Sequence, residues 1–477
     1  MADTGRADLD PGSFRDRGSR VFLSDGLYHR GLRPQAAQAW EDVSRAGFMA
    51  RAMSDGRVIG TRDVAIPDGA LAQAEGWVRV LHHETVPFIS YPYEWTFGAL
   101  KEAALLQLSL LEQAASEGFV LSDGTAYNVQ WRGSRPVFID VGSFQPLDPR
   151  WLWRGYQQFC QQQLYPLMLQ ALKNVPFHPW LRGDLEGMKA GDVAGLFTWR
   201  DLFKPGVLTN LWLADLLSRK GGGDSAATAA PGLSRDDAAR LVGATARRLA
   251  GVVRRLDWNP AESAWTGYSN RSHYAGQDLE AKTRFVLDVA SARHRQLAWD
   301  IGANDARFSR LIAPHVDHVV AIESDHATAE HCYRQIRADG IDNIQTLVVN
   351  LANPSPGNGW AGRERRSLTD RARPQLVLAL AVIHHIVIGA NIRMEDFIAW
   401  LGSLGAEVVL EFPTRDDSMV RHLLSTREDV FSDYDRDVLE AAIQRHFKIV
   451  RSEWVNETRI IYHLEAASSC IGTGNVV

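Results

Sequence analysis

The C-terminal half of the chain reads as an α/β fold, and the N-terminal half as a separate α+β unit. From Arg295 onward, short apolar runs alternate with amphipathic helical stretches, the pattern of a parallel sheet covered on both faces. A break rich in glycine and alanine, "SRKGGGDSAATAAPGLSRDD" (Ser218 to Asp237), has no hydrophobic period and reads as a flexible linker. What precedes it is rich in tryptophan, tyrosine and glutamine. The expected organisation is an α+β domain over 1–217, a linker over 218–237, and an α/β domain over 238–477 led by a helix, Ala238 to Leu256. A length of 477 residues suits two or three domains.

The elements of the second half follow in order. "RQLAWDIG" is a buried strand ending in a turn, and "ARFSRLIAPHV" places Phe308, Leu311 and Ile312 at helical spacing. "HVVAIESD" is a second strand, "ATAEHCYRQIRADG" a helix closed by Gly340, and "IQTLVVNLA" a third strand. "PQLVLALAVIHH" and "AEVVLEFP" are the fourth and fifth. Ligands of such sheets bind outside the carboxyl ends of the strands.

Bulk properties exclude several classes. A net charge of −5 argues against a nucleic-acid-binding chain, which carries a basic excess. The first thirty residues lack an apolar signal region, and no apolar run reaches the ~20 residues that span a bilayer. A cytoplasmic protein without a membrane partner is expected. Cys160, Cys332 and Cys470 lie far apart and read as reduced thiols.

The turn after the first strand is "DIGANDARFS". It lacks the GxGxxG of a dinucleotide site and keeps Asp300, Gly302 and Asn304, with Ala306 where a third small residue is wanted. This resembles motif I of class I S-adenosylmethionine (SAM) methyltransferases, usually D-x-G-x-x-x-G, and implies a Rossmann-like domain with SAM as cofactor. Ala306 suits that turn if its φ is negative. Glu323 lies 21 residues beyond Gly302 at the end of the second strand, where an acid can take both ribose hydroxyls. Asn350, ending the third strand, would sit near the adenine edge. The expected cofactor-binding set is Asp300, Gly302, Asn304, Glu323 and Asn350.

The fourth strand ends in His384 and His385, where methyltransferases acting on amide or base nitrogens often carry N-P-P-Y. Adjacent residues of a strand point to opposite faces, so at most one of the two faces the cofactor. A histidine there can deprotonate a hydroxyl or amine, and the competing reading is a histidine bonded to backbone or merely packed. Glu411, after the fifth strand, is a second catalytic candidate. No metal site is expected. "WTGYSNRSHY" (Trp265 to Tyr274), with Lys282 downstream, reads as a lid or acceptor-pocket segment, against the alternative of a surface helix.

In the first half, "LSDGTAYNVQWRGSRPVFIDVGS" spaces Asp123 and Asn128 as D-x4-N. A hairpin follows, Val129 to Trp131 against Val137 to Ile139, and then Asp140-Val141-Gly142. This resembles the catalytic loop and metal-binding D-F-G of kinases and aminoglycoside phosphotransferases, preceded by a helix over Leu100 to Ala115. The resemblance implies Asp123 as base, with Asn128 and Asp140 holding Mg²⁺. Leu121-Ser122 stands where His-Arg is usual, there is no glycine-rich phosphate loop, and Lys101 lies on the wrong helix. A degenerate kinase-like domain that holds an acceptor, with Trp131, Tyr127 and Phe144 stacking on it, is therefore expected.

"NPSPGNGW", "LALAVIHHI", "EFP" and "YQQFCQQQLYPLML" resemble a group of bacterial nodulation-type methyltransferases. The function implied is methyl transfer from SAM to a hydroxyl or amine of a small-molecule or carrier-bound acceptor. An ATP-dependent phosphotransferase and a non-catalytic SAM-binding protein stand as alternatives.

Overall fold

A computed structural model describes residues 8–66, 71, 75–219, 233–260 and 276–467. Most of the expected linker, the Trp265 to Tyr274 segment and Cys470 lie outside them.

The N-terminal half opens with a five-stranded antiparallel sheet, in the order β1 (Asp8–Leu9), β2 (Ser19–Ser24), β3 (Leu27–Leu32), β5 (Arg79–His83), β4 (Thr61–Val64). The β2–β3 hairpin closes on Asp25-Gly26, both at positive φ (52° and 75°), the Asp-Gly pair that a two-residue hairpin turn favours. A 20-residue helix, Phe97–Ser116, follows, with the Thr96 side chain accepting from the Ala99 amide at its start. The expected hairpin is present as β7 (Val129–Arg132) against β8 (Arg135–Phe138), turning at Gly133-Ser134. It is flanked by β6 (Phe119–Leu121) paired with β9 (Phe144–Pro146). Helical segments fill the stretch from Tyr156 to Arg219.

The C-terminal half is a seven-stranded sheet in the order β12 (Ile344–Val348), β11 (Val316–Glu323), β10 (Arg295–Ile301), β13 (Leu376–Ala379), β14 (Glu407–Pro413), β16 (Arg459–Ala466), β15 (Phe447–Asn456). The first five strands are parallel, as expected. The last two form an antiparallel pair that the sequence reading did not separate out. β13 is shorter than expected. Its apolar run leaves the sheet after Ala379, and Ala381 takes a positive φ (53°) before the turn His385–Gly389.

Alternation along the strands gives the sheet two apolar faces. Ala298, Val319, Ala321, Leu376 and Leu378 meet Phe285, Val286 and Val289 of the helix Gly276–Ser291. The opposite face, with Trp299, Ile301, Val320, Ile322 and Val377, belongs to the same core as Phe88, Tyr91, Trp95 and Trp131 of the first half. Phe88 meets Trp299 edge-on at 6.1 Å, and Trp131 meets Tyr333 at 6.0 Å. This sharing has a local cause. The crossover from β12 to β13 carries no α-helix, only the single turns Trp360–Gly362 and Leu368–Asp370, so the N-terminal half supplies the cover a crossover helix would give. Polar contacts fix the seam. Arg371 meets Glu94 at 2.5 and 2.6 Å, Glu330 accepts from the Gly98 amide at 2.8 Å, and Gln345 donates to Ser90 Oγ at 2.8 Å.

The halves thus share one core, where the sequence suggested two units. The helix Arg235–Arg255, expected to lead into the second domain, packs along Phe97–Ser116 of the first. Its apolar stripe, Val242, Ala246, Leu249 and Val253, is buried there.

Candidate functional site

The strand order reverses direction between β10 and β13, and the turn after β10 meets the end of β11 at Glu323 and the segment after β13 at Val382. Gly302 sits there at φ +72°, and a Cβ on it would come within 3.2 Å of Val382 Cγ2, so both conformation and space call for glycine. The amides of Gly302 and Ala303 donate to the Ile322 carbonyl at 2.9 and 3.0 Å, tying the turn to β11. Asn304 (φ +50°) donates its amide to Glu323 Oε2 at 3.0 Å. The Arg307 amide, at the start of the next helix, is held by Asp305 Oδ1 at 3.2 Å.

Ala306 corrects the sequence reading. Its φ is +58°, not negative, and it is fully buried at the start of the helix Arg307–Ile312. The methyl that separates it from glycine is held in a left-handed conformation, which costs an L-residue about 1–2 kcal/mol.

Asp300 is also placed differently. Expected to bind cofactor, it is buried beneath the turn, where it accepts from Ser309 Oγ at 2.6 Å and so anchors the helix Arg307–Ile312. Burial raises its pKa to about 6. Glu323 lies at the end of β11 beside the glycine turn. Its Oε1 accepts from the Ser324 and Asp325 amides at 2.7 and 2.8 Å, and its Oε2 from Asn304 alone among the backbone amides. Burial raises its pKa and those amides oppose the shift. Asn350 is exposed, and its side-chain oxygen caps its own turn by accepting from the Ala352 amide at 2.9 Å.

His384 and His385 lie beyond the strand, in the helical turn that follows it, so strand alternation does not separate them; burial does. His384 is completely buried, with neither ring nitrogen hydrogen-bonded, and packs 4.0 Å from the His385 ring. Burial, then the His385, Arg459 and Lys282 charges, hold it well below the usual histidine range. A general-base role does not suit it, because no acceptor reaches a fully buried ring and neighbouring cations oppose its protonation. His385 is half-buried, its pKa lowered to about 4 by burial and by Arg459.

Glu411 is fully buried in a chain of alternating charges. Its Oε2 accepts from Lys282 Nζ at 2.6 Å, and its Oε1 lies 3.4 Å from Arg459 Nη1. Arg459 in turn pairs with Asp417 at 2.7 Å. Two cations therefore hold Glu411 as a charge partner rather than as a proton acceptor. Arg459 and Asp417 were not picked out from the sequence. The available signal was an arginine opening the otherwise apolar strand "RIIYHLE", since a buried arginine demands a partner. Among the described residues, Glu407, His463 and Glu465 bring ligand atoms close together, but Glu407 is already taken by Arg295 and Arg293.

The N-terminal half holds a cleft of about 1440 Å³. Asp123, Asn128 and Asp140 all line it, so the residues singled out by spacing do converge. Their chemistry differs from expectation. Asp140 Oδ1 pairs with Arg30 Nη2 at 2.9 Å, and its Oδ2 accepts from Asn128 Nδ2 at 3.3 Å. Both oxygens are thereby engaged, and a guanidinium stands where a metal would bind. Asp123 opens into the cleft but is otherwise enclosed by protein. That enclosure, then the Asp140 and Asp16 charges, raise its pKa to about 6. Of the expected stacking residues, Trp131 and Phe144 are core side chains, while Tyr127 lines the cleft with Arg365 4.2 Å above its ring. The crossover segment of the second half contributes to this cleft through Glu364, which pairs with Arg15 at 2.8 Å, and Arg366, which pairs with Asp10 at 3.2 Å.

No family model matches the chain. Among solved structures, N-methyltransferase NodS from Bradyrhizobium japonicum WM9, in complex with S-adenosyl-L-homocysteine, is 12% identical with a TM-score of 0.29, covering 43% of this chain and 99% of that one. Magnesium protoporphyrin IX methyltransferase from Synechocystis PCC 6803 is 12% identical with a TM-score of 0.30, covering 44% and 90%. Nodulation protein NoeA of Rhizobium meliloti (strain 1021) is 32% identical over 464 residues, 95% of each chain. The chain belongs to the family of that nodulation protein.

Proposed function

We propose that the chain transfers a methyl group from SAM to a hydroxyl or amine of a small-molecule or carrier-bound acceptor. The observation that carries this reading is the switch point between β10 and β13, which brings the Gly302 turn and Glu323 together at the carboxyl edge of a parallel sheet. Glu323 fits a ribose diol. A carboxylate oxygen has two acceptor positions, and among the backbone amides Oε2 takes only Asn304. The Gly302 turn, its amides spent on β11, offers a close glycine surface rather than a phosphate cradle, which suits a cofactor without phosphate.

SAM supplies an already activated methyl group, so the protein's task is to hold the acceptor in line with it. As the acceptor bonds to the methyl carbon, the carbon–sulfur bond breaks and its electron pair stays on sulfur. A neutral His385 can orient a hydroxyl or amine by hydrogen bonding, while its depressed basicity makes it a poor sink for the acceptor's proton, which passes to solvent. The Lys282–Glu411–Arg459 chain holds the floor of that side rigid. Calorimetry with SAM tests the assignment: Glu323→Ala should lose roughly 1–3 kcal/mol through unpaired ribose hydroxyls, and unchanged affinity would sink it.

For the N-terminal half, a kinase-like fold has behind it only the spacing of Asp123, Asn128 and Asp140 and their convergence on one cleft. An active phosphotransferase has less behind it, because Arg30 and Asn128 occupy the Asp140 oxygens that would hold Mg²⁺.

A further inference from the structure

We propose that the N-terminal cleft is a second binding site, for an uncharged, hydroxyl-rich ligand such as a saccharide or polyol. Four carboxylates of the cleft are already matched to arginines of the same cleft: Asp10 to Arg366, Asp140 to Arg30, Asp148 to Arg150, and Glu364 to Arg15. A charged ligand would have to break these pairs to engage any of these eight groups, while Arg17 and Arg154, exposed cations of the same cleft, lie outside the four pairs. Asp123 is different, since no salt bridge reaches it among the described residues and its carboxyl opens into the cleft.

A second, independent group points the same way. His83 lines the cleft wall, is 7% exposed, and has Nδ1 bound to Thr61 Oγ1 at 2.9 Å. Its Nε2, across the ring, has no partner. A buried ring nitrogen without a partner costs about 1–3 kcal/mol, which a ligand hydroxyl would recover. Burial and the Arg30 charge keep this ring neutral, so it exchanges hydrogen bonds with a hydroxyl and gives no purchase to an anion. At the rim, Trp151 is two-fifths exposed with Arg154 packed 5.3 Å from its ring centre. Such an aromatic platform accepts the apolar C–H face of a sugar ring. A volume of about 1440 Å³ exceeds what a single small metabolite fills and accommodates a ligand of several rings. The proposal stands independently of methyl transfer.

The test uses the full-length chain and its Asp123→Ala and Trp151→Ala variants on an array of uncharged glycans. Calorimetry then follows with the best-retained glycan, with sorbitol as the acyclic polyol, and with ATP plus Mg²⁺. Melting curves matching the parent establish that each variant is folded. Binding of a glycan or of sorbitol, weakened about tenfold or more by Asp123→Ala, is expected. A Trp151→Ala effect on the glycan alone identifies a ring-stacked sugar, and an effect on neither ligand identifies a simple polyol. Failure of all uncharged ligands to bind, equal binding by Asp123→Ala, or displacement of the glycan by ATP with Mg²⁺ would overturn the proposal.

Discussion

Arg371 and Glu94 provide the sharpest test of how the two halves hold together. Both are essentially excluded from solvent, and their two contacts of 2.5 and 2.6 Å cross the seam between the crossover segment and the N-terminal half. Arg371 also donates to the Ile89 carbonyl at 3.0 Å and stacks 4.7 Å from the Tyr91 ring. In Arg371→Met the arginine stem is roughly replaced, but Glu94 keeps only the Tyr91 amide at 3.0 Å as a strong donor. An uncompensated buried charge of this kind costs about 3–5 kcal/mol, a large part of the 5–15 kcal/mol that folds an ordinary domain. The double variant Glu94→Leu with Arg371→Met removes both charges and should recover most of that loss, because a well-packed apolar pair replaces a buried ion pair at little cost. Urea unfolding followed by tryptophan fluorescence and by circular dichroism measures both. Loss of less than 1 kcal/mol in Arg371→Met, or a double variant no better than the single, would refute the reasoning.

The remaining predictions concern the site and the seam. Ala306→Gly relieves a left-handed alanine and should raise stability by about 1 kcal/mol, read as a higher melting temperature; a lower one counts against the strain. Asp300 has a folded pKa of about 6, above its unfolded value, so its contribution is full below pH 4 and is lost as pH rises through 6. Asp300→Asn should therefore flatten the stability difference between pH 4 and pH 7 by roughly 2–3 kcal/mol, and unfolding curves at the two pH values that stay parallel to the parent's would exclude this. Because burial keeps His384 and His385 neutral at pH 7, methyl transfer should show no histidine limb between pH 6 and 7, and His385→Gln should retain more activity than His385→Ala. Finally, residues 276–477 expressed alone should fail to give a cooperative melt, since one sheet face would stand bare.

The second half was legible because its parallel strands are buried on both faces and appear as plain apolar runs; "RQLAWDI" and "HVVAIE" fall on β10 and β11. Gly302 and Glu323 were recognisable because a tight turn and an acid at a strand end leave local marks. What failed to show depends on distance. Glu94 and Arg371 lie 277 positions apart, and nothing near either announces the other. The apolar run through His384 looked like continuous strand, yet its last residues turn away, and only packing reveals that His384 is sealed while His385 is not. The backbone angle at Ala306 is imposed by the anchored turn, overriding the preference of alanine. The cleft residues Asp123, Asn128 and Asp140 were found by spacing, but the arginine that neutralises Asp140 comes from β3, about a hundred residues earlier.

The bare crossover between β12 and β13 has a consequence for how the chain is made. The N-terminal half leaves the ribosome first, with Phe88, Trp95 and Trp131 destined for a surface not yet synthesised. Those aromatics stay unsatisfied until some two hundred further residues have been translated, so the nascent chain carries sticky apolar surface throughout that interval. Contacts so remote in sequence slow the final docking and widen the window for aggregation. A chain that stopped between the halves would keep that apolar surface bare, because the face that covers it lies in the second half.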